Sequence, residues 1–381
     1  MQTLMDLLNS PQGLRFLEAK GVFVAPAEFR EQLEPAVKPD LAAHLGLENK
    51  KIIYSGQQLY VDYRQSVLSK ILCLQDIAQA DSRLFPLFLW LDTDRSGSDT
   101  LITKFAWPNP SKKGLIKIAP SQTDEIESRF VMLSSEPLKS AMDKLETYLR
   151  QSGEKKIGAK DKYLRLRELF VGPSPGSLSA FNLRLTGFLM SNVLGFMPPS
   201  LVLSDLLRAG LFIAELELLL NCLTDMVTVF NQAIQALIQR DIDPQVRPLP
   251  EHYLPLFFSC ELDNRRIRLY HQVDGRDHFA VATCKCGQSS KFHLGQANLS
   301  MAEIAQTQRW SPDVMLPLLL NNFVSGSVAG KSSALYGLVL NEVLRQVLGQ
   351  KPVPMLVPES LGAQANQPEQ VDSLIYKYLT R

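Results

Sequence analysis

The chain has 381 residues, with 40 Lys and Arg against 39 Asp and Glu, for a formal charge of +1. Such a balance argues against a nucleic-acid footprint and against a polybasic membrane surface. Five cysteines without framework spacing suit a reducing, cytoplasmic compartment rather than a disulfide scaffold.

The first residues, Met1-Gln2-Thr3-Leu4-Met5-Asp6-Leu7-Leu8, lack a basic stretch followed by a long apolar one, so no secretory signal is expected. Residues 1–50 read as a polar-amphipathic helical cover. Ile52 and Ile53 then read as the end of a buried strand, Ser55-Gly56 as a turn, and Ser66 to Ala80 as the following helix. The apolar run from Leu84 to Leu91 predicts a fully buried parallel strand. Asp92, Thr93 and Asp94 follow at its carboxyl end, where open α/β sheets place ligands.

Leu138 to Arg150 reads as an amphipathic helix, and residues 151–177 read as a linker, basic at first and ending in Gly172-Pro173-Ser174-Pro175-Gly176-Ser177. Residues 178–245 read as mostly helical around a strand at Leu201 to Leu203. The apolar stretch around Leu206 to Leu223 contains Arg208, Glu215 and Glu217, which suits a buried helix rather than a membrane span. Residues 250–295 change character and read as a small β-rich insertion. A strand at Met355 to Val357 closes the series. The fold expected is one α/β, Rossmann-like unit of three layers, a mostly parallel sheet with helices on both faces.

Tyr54-Ser55-Gly56-Gln57-Gln58, the following helix, and Phe88-Leu89-Trp90-Leu91-Asp92-Thr93-Asp94 together resemble the bacillithiol-synthesis cysteine ligases. Further likeness lies in Leu201-Val202-Leu203-Ser204-Asp205, in Trp310-Ser311-Pro312-Asp313-Val314-Met315-Leu316, in the loop Gly326 to Tyr336 and in Pro352 to Pro358, roughly residues 15 to 360 in all. The resemblance implies an enzyme that joins cysteine to the amine of an amino-sugar malate as an amide. The departures are definite. The acid-histidine run after the tryptophan strand is replaced by Arg95 and Ser96, and Ala329, Gly330, Lys331, Ser332 and Ser333 replace a second glycine-rich loop that ends in glutamate. Members of the family also continue into a coiled coil used for dimerisation. The present sequence ends at Arg381, so any dimer is expected to use another surface. A ligand-binding or regulatory protein that kept the fold and lost the chemistry is the alternative.

The expected site follows from these segments. Ser55, Gly56, Gln57, Gln58, Lys70 and Thr93 are substrate-binding candidates, for an amino acid or amino sugar. Asp92 and Asp94 are the catalytic candidates, suited to hold an ammonium and take its proton. Gly326, Ser327, Gly330, Lys331 and Ser332 form the candidate anion or nucleotide loop, with Lys331 expected opposite the two aspartates. That loop is one residue short of a P-loop, whose spacing lets successive amides wrap a phosphate. No cofactor is assigned, and a nucleotide is the one the resemblance leaves open. Cys284-Lys285-Cys286-Gly287 with His293 and His278 offers zinc-type ligands, but the spacing matches no zinc module. It reads as a hairpin turn with two reduced thiols and no metal is assigned.

Overall fold

The computed structural model of the protein describes residues 1–47, 49–106, 114–151, 157–172, 175–358 and 372–380. Numbered in chain order, β1 (Val22–Phe23), β2 (Lys51–Gln58) and β3 (Leu84–Leu91) belong to a central sheet. Next, β4 (Lys104–Ala106) and β5 (Leu115–Lys117) form a side ribbon, and β6 (Ser200–Val202) returns to the central sheet. Then β7 (Tyr253–Ser259), β8 (Arg266–Asp274), β9 (Asp277–Thr283), β10 (Ser289–Gly295) and β11 (Trp310–Pro312) build a second sheet. Finally β12 (Gly326–Val328) and β13 (Met355–Leu356) complete the first. The central sheet runs β1-β13-β12-β2-β3-β6 and every pair in it is parallel. The second is antiparallel in the order β10-β9-β8-β7-β11. The expected α/β architecture, helices on both faces of a parallel sheet with a β-rich insertion, is the one observed.

Side chains alternate across a strand, so each face of the sheet gathers its own core. Ile53, Phe88, Trp90, Val328 and Leu356 pack with Val67, Leu68 and Ile71 of the helix Gln65–Ala80. Ile52, Leu87, Leu89 and Met355 pack on the other side with Leu335, Leu338 and Val339 of the helix Lys331–Gln346. No described helix is long and apolar enough to cross a membrane.

Four local expectations change. Strand β2 does not stop at Ile53 but continues through Ser55 and Gly56 to Gln58, so the expected turn is strand. Gly56 pairs with Leu89 there, and an added Cβ would lie 3.3 Å from the Leu89 carbonyl oxygen. The N-terminal cover contributes β1 as an edge strand beside β13. Within the expected linker 151–177, residues 152–156 and 173–174 lie outside the described residues. The rest holds the helix Ile157–Val171, whose Tyr163, Leu166 and Phe170 are buried, because its lysines and arginines flank an apolar stripe. Leu203 opens the helix Leu203–Arg208 rather than ending a strand.

Candidate functional site

From β2 the chain passes through the helix Gln65–Ala80 to β3, its neighbour on one side. From β12 it passes through the helix Lys331–Gln346 to β13, on the opposite side. Right-handed crossovers in opposite directions put the two helices on opposite faces of the sheet. Between β2 and β12 their N-termini part and leave a crevice at the carboxyl edge. This is the topological switch point where open α/β sheets take ligands.

A cavity of about 400 Å³ opens at this point. Its floor is apolar, with Leu89, Leu203, Leu340, Leu344 and Met355. Its mouth is polar and draws on both halves of the switch: Gln58, Thr93 and Asp94 from β2 and the loop after β3, and Ser327, Ser333 and Tyr336 from β12 and its helix. Lys70, only 5% exposed, reaches the same edge. Its Nζ donates to the Gly56 carbonyl at 2.8 Å and to Gln57 Oε1 at 3.0 Å. Burial holds the Tyr54 and Tyr336 phenols above their ordinary range, so both are neutral hydrogen-bonding groups at physiological pH.

The antiparallel sheet closes the cavity from above with Phe257, Arg266 and Arg268. The Arg266 guanidinium stacks 3.7 Å from the Phe257 ring centre and lies 3.3 Å from both Asp94 Oδ1 and Glu127 Oε1. It also donates to Ser311 Oγ at 3.2 Å and to the Pro312 carbonyl at 3.2 Å. Burial lowers its pKa, against the pull of Glu127 and Asp94, yet a guanidinium stays charged. Arg268 lies 3.0 Å from Asp313 Oδ2, and the Tyr253 hydroxyl donates to the same oxygen. Burial first, then Asp313, pushes the Tyr253 phenol well above its ordinary value.

Of the residues expected from sequence, Gln58, Lys70, Thr93, Asp94, Gly56 and Ser327 line the cavity. Gln58 Nε2 donates to Asp94 Oδ2 at 2.9 Å, which sets that carboxylate at the mouth. Gln57 points to the other face of β2, where its amide donates to the Tyr60 hydroxyl at 2.7 Å and accepts from Lys70. It acts on the cleft through Lys70 and through Gln58, whose side-chain carbonyl accepts from the same Gln57 amide.

Others do not reach the cleft. The Ser55 hydroxyl donates to the Val328 carbonyl at 2.7 Å and ties β2 to the end of β12. Asp92 is buried facing the helix Leu203–Arg208, accepting the Ser204 N–H at 3.0 Å and the Ser204 hydroxyl at 2.6 Å. Burial raises its pKa, against those bonds. It is an anchor for that helix and not a second acid in the cavity, because both of its oxygens are engaged by Ser204. Gly326 is a packing glycine, for an added Cβ would lie 2.7 Å from Leu33 Cδ2 and 2.8 Å from Phe29 Cζ. Gly330 is the N-cap of the helix Lys331–Gln346, without a side-chain cap, and Ser332 Oγ turns outward to Gln245 at 3.3 Å. Lys331 does not line the cavity; the cations that line it with Asp94 are Lys70, Arg266 and Arg268.

Arg266, Arg268 and Glu127 were not singled out from sequence. Arg266-Ile267-Arg268 reads as part of the β-rich insertion, and its nearness to Asp94 is a long-range pairing that spacing does not reveal.

A scan against protein-family models finds no match for this chain. A search of the curated proteins finds none either.

Proposed function

We propose that the protein binds a small zwitterionic metabolite in the switch-point cleft and joins it to an amine, as a cysteine–amine ligase of the kind the sequence resembles. One observation carries this reading. Opposite charges converge on a single cavity mouth, with Asp94 on one wall and Lys70 and Arg266 on the others. An amino acid offers the complement, its ammonium to Asp94 and its carboxylate to the cations. The Arg266–Asp94 contact of 3.3 Å is longer than the 2.7–2.9 Å of a strong charge-assisted bond, so a ligand bearing both charges would exchange a weak bond for one stronger bond to each partner. Asp94 is then within reach of the ammonium proton, the first requirement of a general base. Holding amine and carboxyl in contact supplies much of the rate of amide formation. Activation of the carboxyl by a nucleotide rests on the resemblance alone.

A second reading, binding without turnover, is favoured by the engagement of Asp92 with Ser204, which removes one of the two acids on which ligation was expected to rest. Both readings are tested by calorimetric titration of the full chain with cysteine and with glucosaminyl malate, with and without ATP. Amide product is followed by mass spectrometry. Saturable binding with product supports the ligase, and saturable binding without product the second reading. Asp94→Asn is expected to weaken cysteine binding at least about tenfold, the loss of one hydrogen bond to a charged group. Failure of both compounds to bind, or unchanged binding by this variant, overturns both readings.

A further inference from the structure

We propose that the tip of the antiparallel sheet holds a structural metal ion, a soft divalent cation such as zinc, ligated by Cys260, Asp263, Cys284 and Cys286. Two hairpin turns lie at the same end of the sheet. One joins β7 to β8 and carries Cys260 and Asp263. The other joins β9 to β10 and carries Cys284 and Cys286. Each offers one donor atom, and all four donor atoms lie within 4.8 Å of one another. The Sγ atoms of Cys260 and Cys286 are 3.6 Å apart, and Cys284 Sγ is 3.4 Å from Asp263 Oδ1. With zinc–sulfur bonds of about 2.3 Å, a tetrahedron has sulfur–sulfur edges of about 3.8 Å. The cluster thus already has the dimensions of a coordination shell, and its thiols are free.

The backbone shapes both turns for this purpose. Asn264 (φ 59°) and Gly287 (φ 93°) adopt the left-handed conformation that turns the chain sharply. Cys260 N–H bonds to the Arg265 carbonyl at 2.9 Å, and Cys284 N–H to the Gln288 carbonyl at 2.8 Å. Arg265 N–H donates to Asp263 Oδ1 at 3.1 Å and orients the carboxylate. Three thiolates and a carboxylate outweigh a divalent cation in charge. Arg265 beside Asp263 (3.5 Å), and Arg309, which donates to the Cys260 carbonyl at 2.7 Å, offset that excess. The histidines considered beside these cysteines in the sequence are elsewhere, His293 with Asp277 at 3.0 Å and His278 with His271 at 2.8 Å.

Four protein ligands leave no position for substrate, so the ion is structural. Arg266 follows directly on the Cys260–Arg265 turn, so the ion fixes the hairpin that aims Arg266 and Arg268 into the cleft. The proposal does not depend on the identity of the cleft's ligand.

The test uses the full chain purified under reducing conditions from zinc-supplemented growth. Metal analysis is expected to return near one equivalent of zinc. Cobalt(II) exchange is expected to give thiolate-to-metal charge transfer and tetrahedral d–d absorption. Cys286 is exposed, so Cys286→Ser disturbs packing least. It is expected to weaken zinc binding more than about tenfold in competition with a chelating dye, since losing even an outer-sphere partner costs that much. Cys222→Ser is expected to keep the metal. Absence of zinc together with absence of the cobalt spectrum overturns the proposal. So does metal retained equally by Cys286→Ser, or a Cys260–Cys286 disulfide in protein that takes up no zinc after reduction.

Discussion

Asp62 is a carboxylate that the fold has enclosed completely. Its Oδ1 accepts the N–H groups of Tyr63 and Leu374 at 3.0 Å each, and Oδ2 that of Ala106 at 3.3 Å, so it pins the helix Leu374–Thr380 to the loop after β2. Burial nevertheless dominates and raises its pKa from 3.8 to about 6. Between those values the folded protein holds a proton that the unfolded chain has released. Stability therefore falls as pH rises through that window and levels off above about 6. The difference amounts to about 3 kcal/mol. Urea unfolding at about pH 4 and about pH 7.5 should show wild type gaining most of that on Asp62→Asn as the pH is lowered. A parallel pH response in both proteins would assign the proton elsewhere. Asp92 and Asp94 show how far single residues could be read from sequence. Acids at a strand tip were visible, but which of them enters the cleft depends on Ser204 and Arg266, far away in the chain, and so was not.

At the scale of elements, β3, β6 and β13 are legible because each is a short apolar run bounded by turn residues, whereas β12, with the sequence Gly326-Ser327-Val328, reads as part of the glycine-rich loop. Ser55-Gly56 is turn chemistry and predicts an early end to β2, whereas in the fold Gly56 allows close approach to β3 and Ser55 bonds across to β12. Two-residue β1 carries no periodicity of its own and exists because β13 offers it an edge. Gly326 in β12 was read as part of an anion loop, and the structure makes it a packing element. Gly326→Ala should destabilise by about 1–3 kcal/mol through overpacking on Phe29 and Leu33, measured by urea unfolding. Ligand affinity of the folded variant should be unchanged. Weakened binding at full stability would restore the anion reading.

The two sheets are joined by buried charge as well as by apolar packing. Residues 125–130 run beside the loop after β3, with Ser128 N–H on the Asp94 carbonyl at 3.0 Å and Arg266 N–H on the Glu125 carbonyl at 2.9 Å. Fully buried Glu127 sits between Arg129 (2.6 Å), Arg266 (3.3 Å) and the Ser311 hydroxyl (2.7 Å). Glu127→Ala leaves two guanidiniums facing each other and should cost about 3 kcal/mol or more in urea unfolding, with loss of ligand binding as Arg266 shifts. A loss under about 1 kcal/mol would mean that water reaches the pair and screens it. The cavity floor is cut from the same apolar layer that seats the helix Lys331–Gln346 on the sheet. An occupant of that space is therefore a piece of the interior supplied from outside, and the folding equilibrium registers its arrival. At a free concentration a hundred times its dissociation constant, such a compound raises the unfolding free energy by about 2.7 kcal/mol. Melting the protein against a panel of amino acids, amino sugars and nucleotides would thus let its own thermal transition report which of them belongs inside.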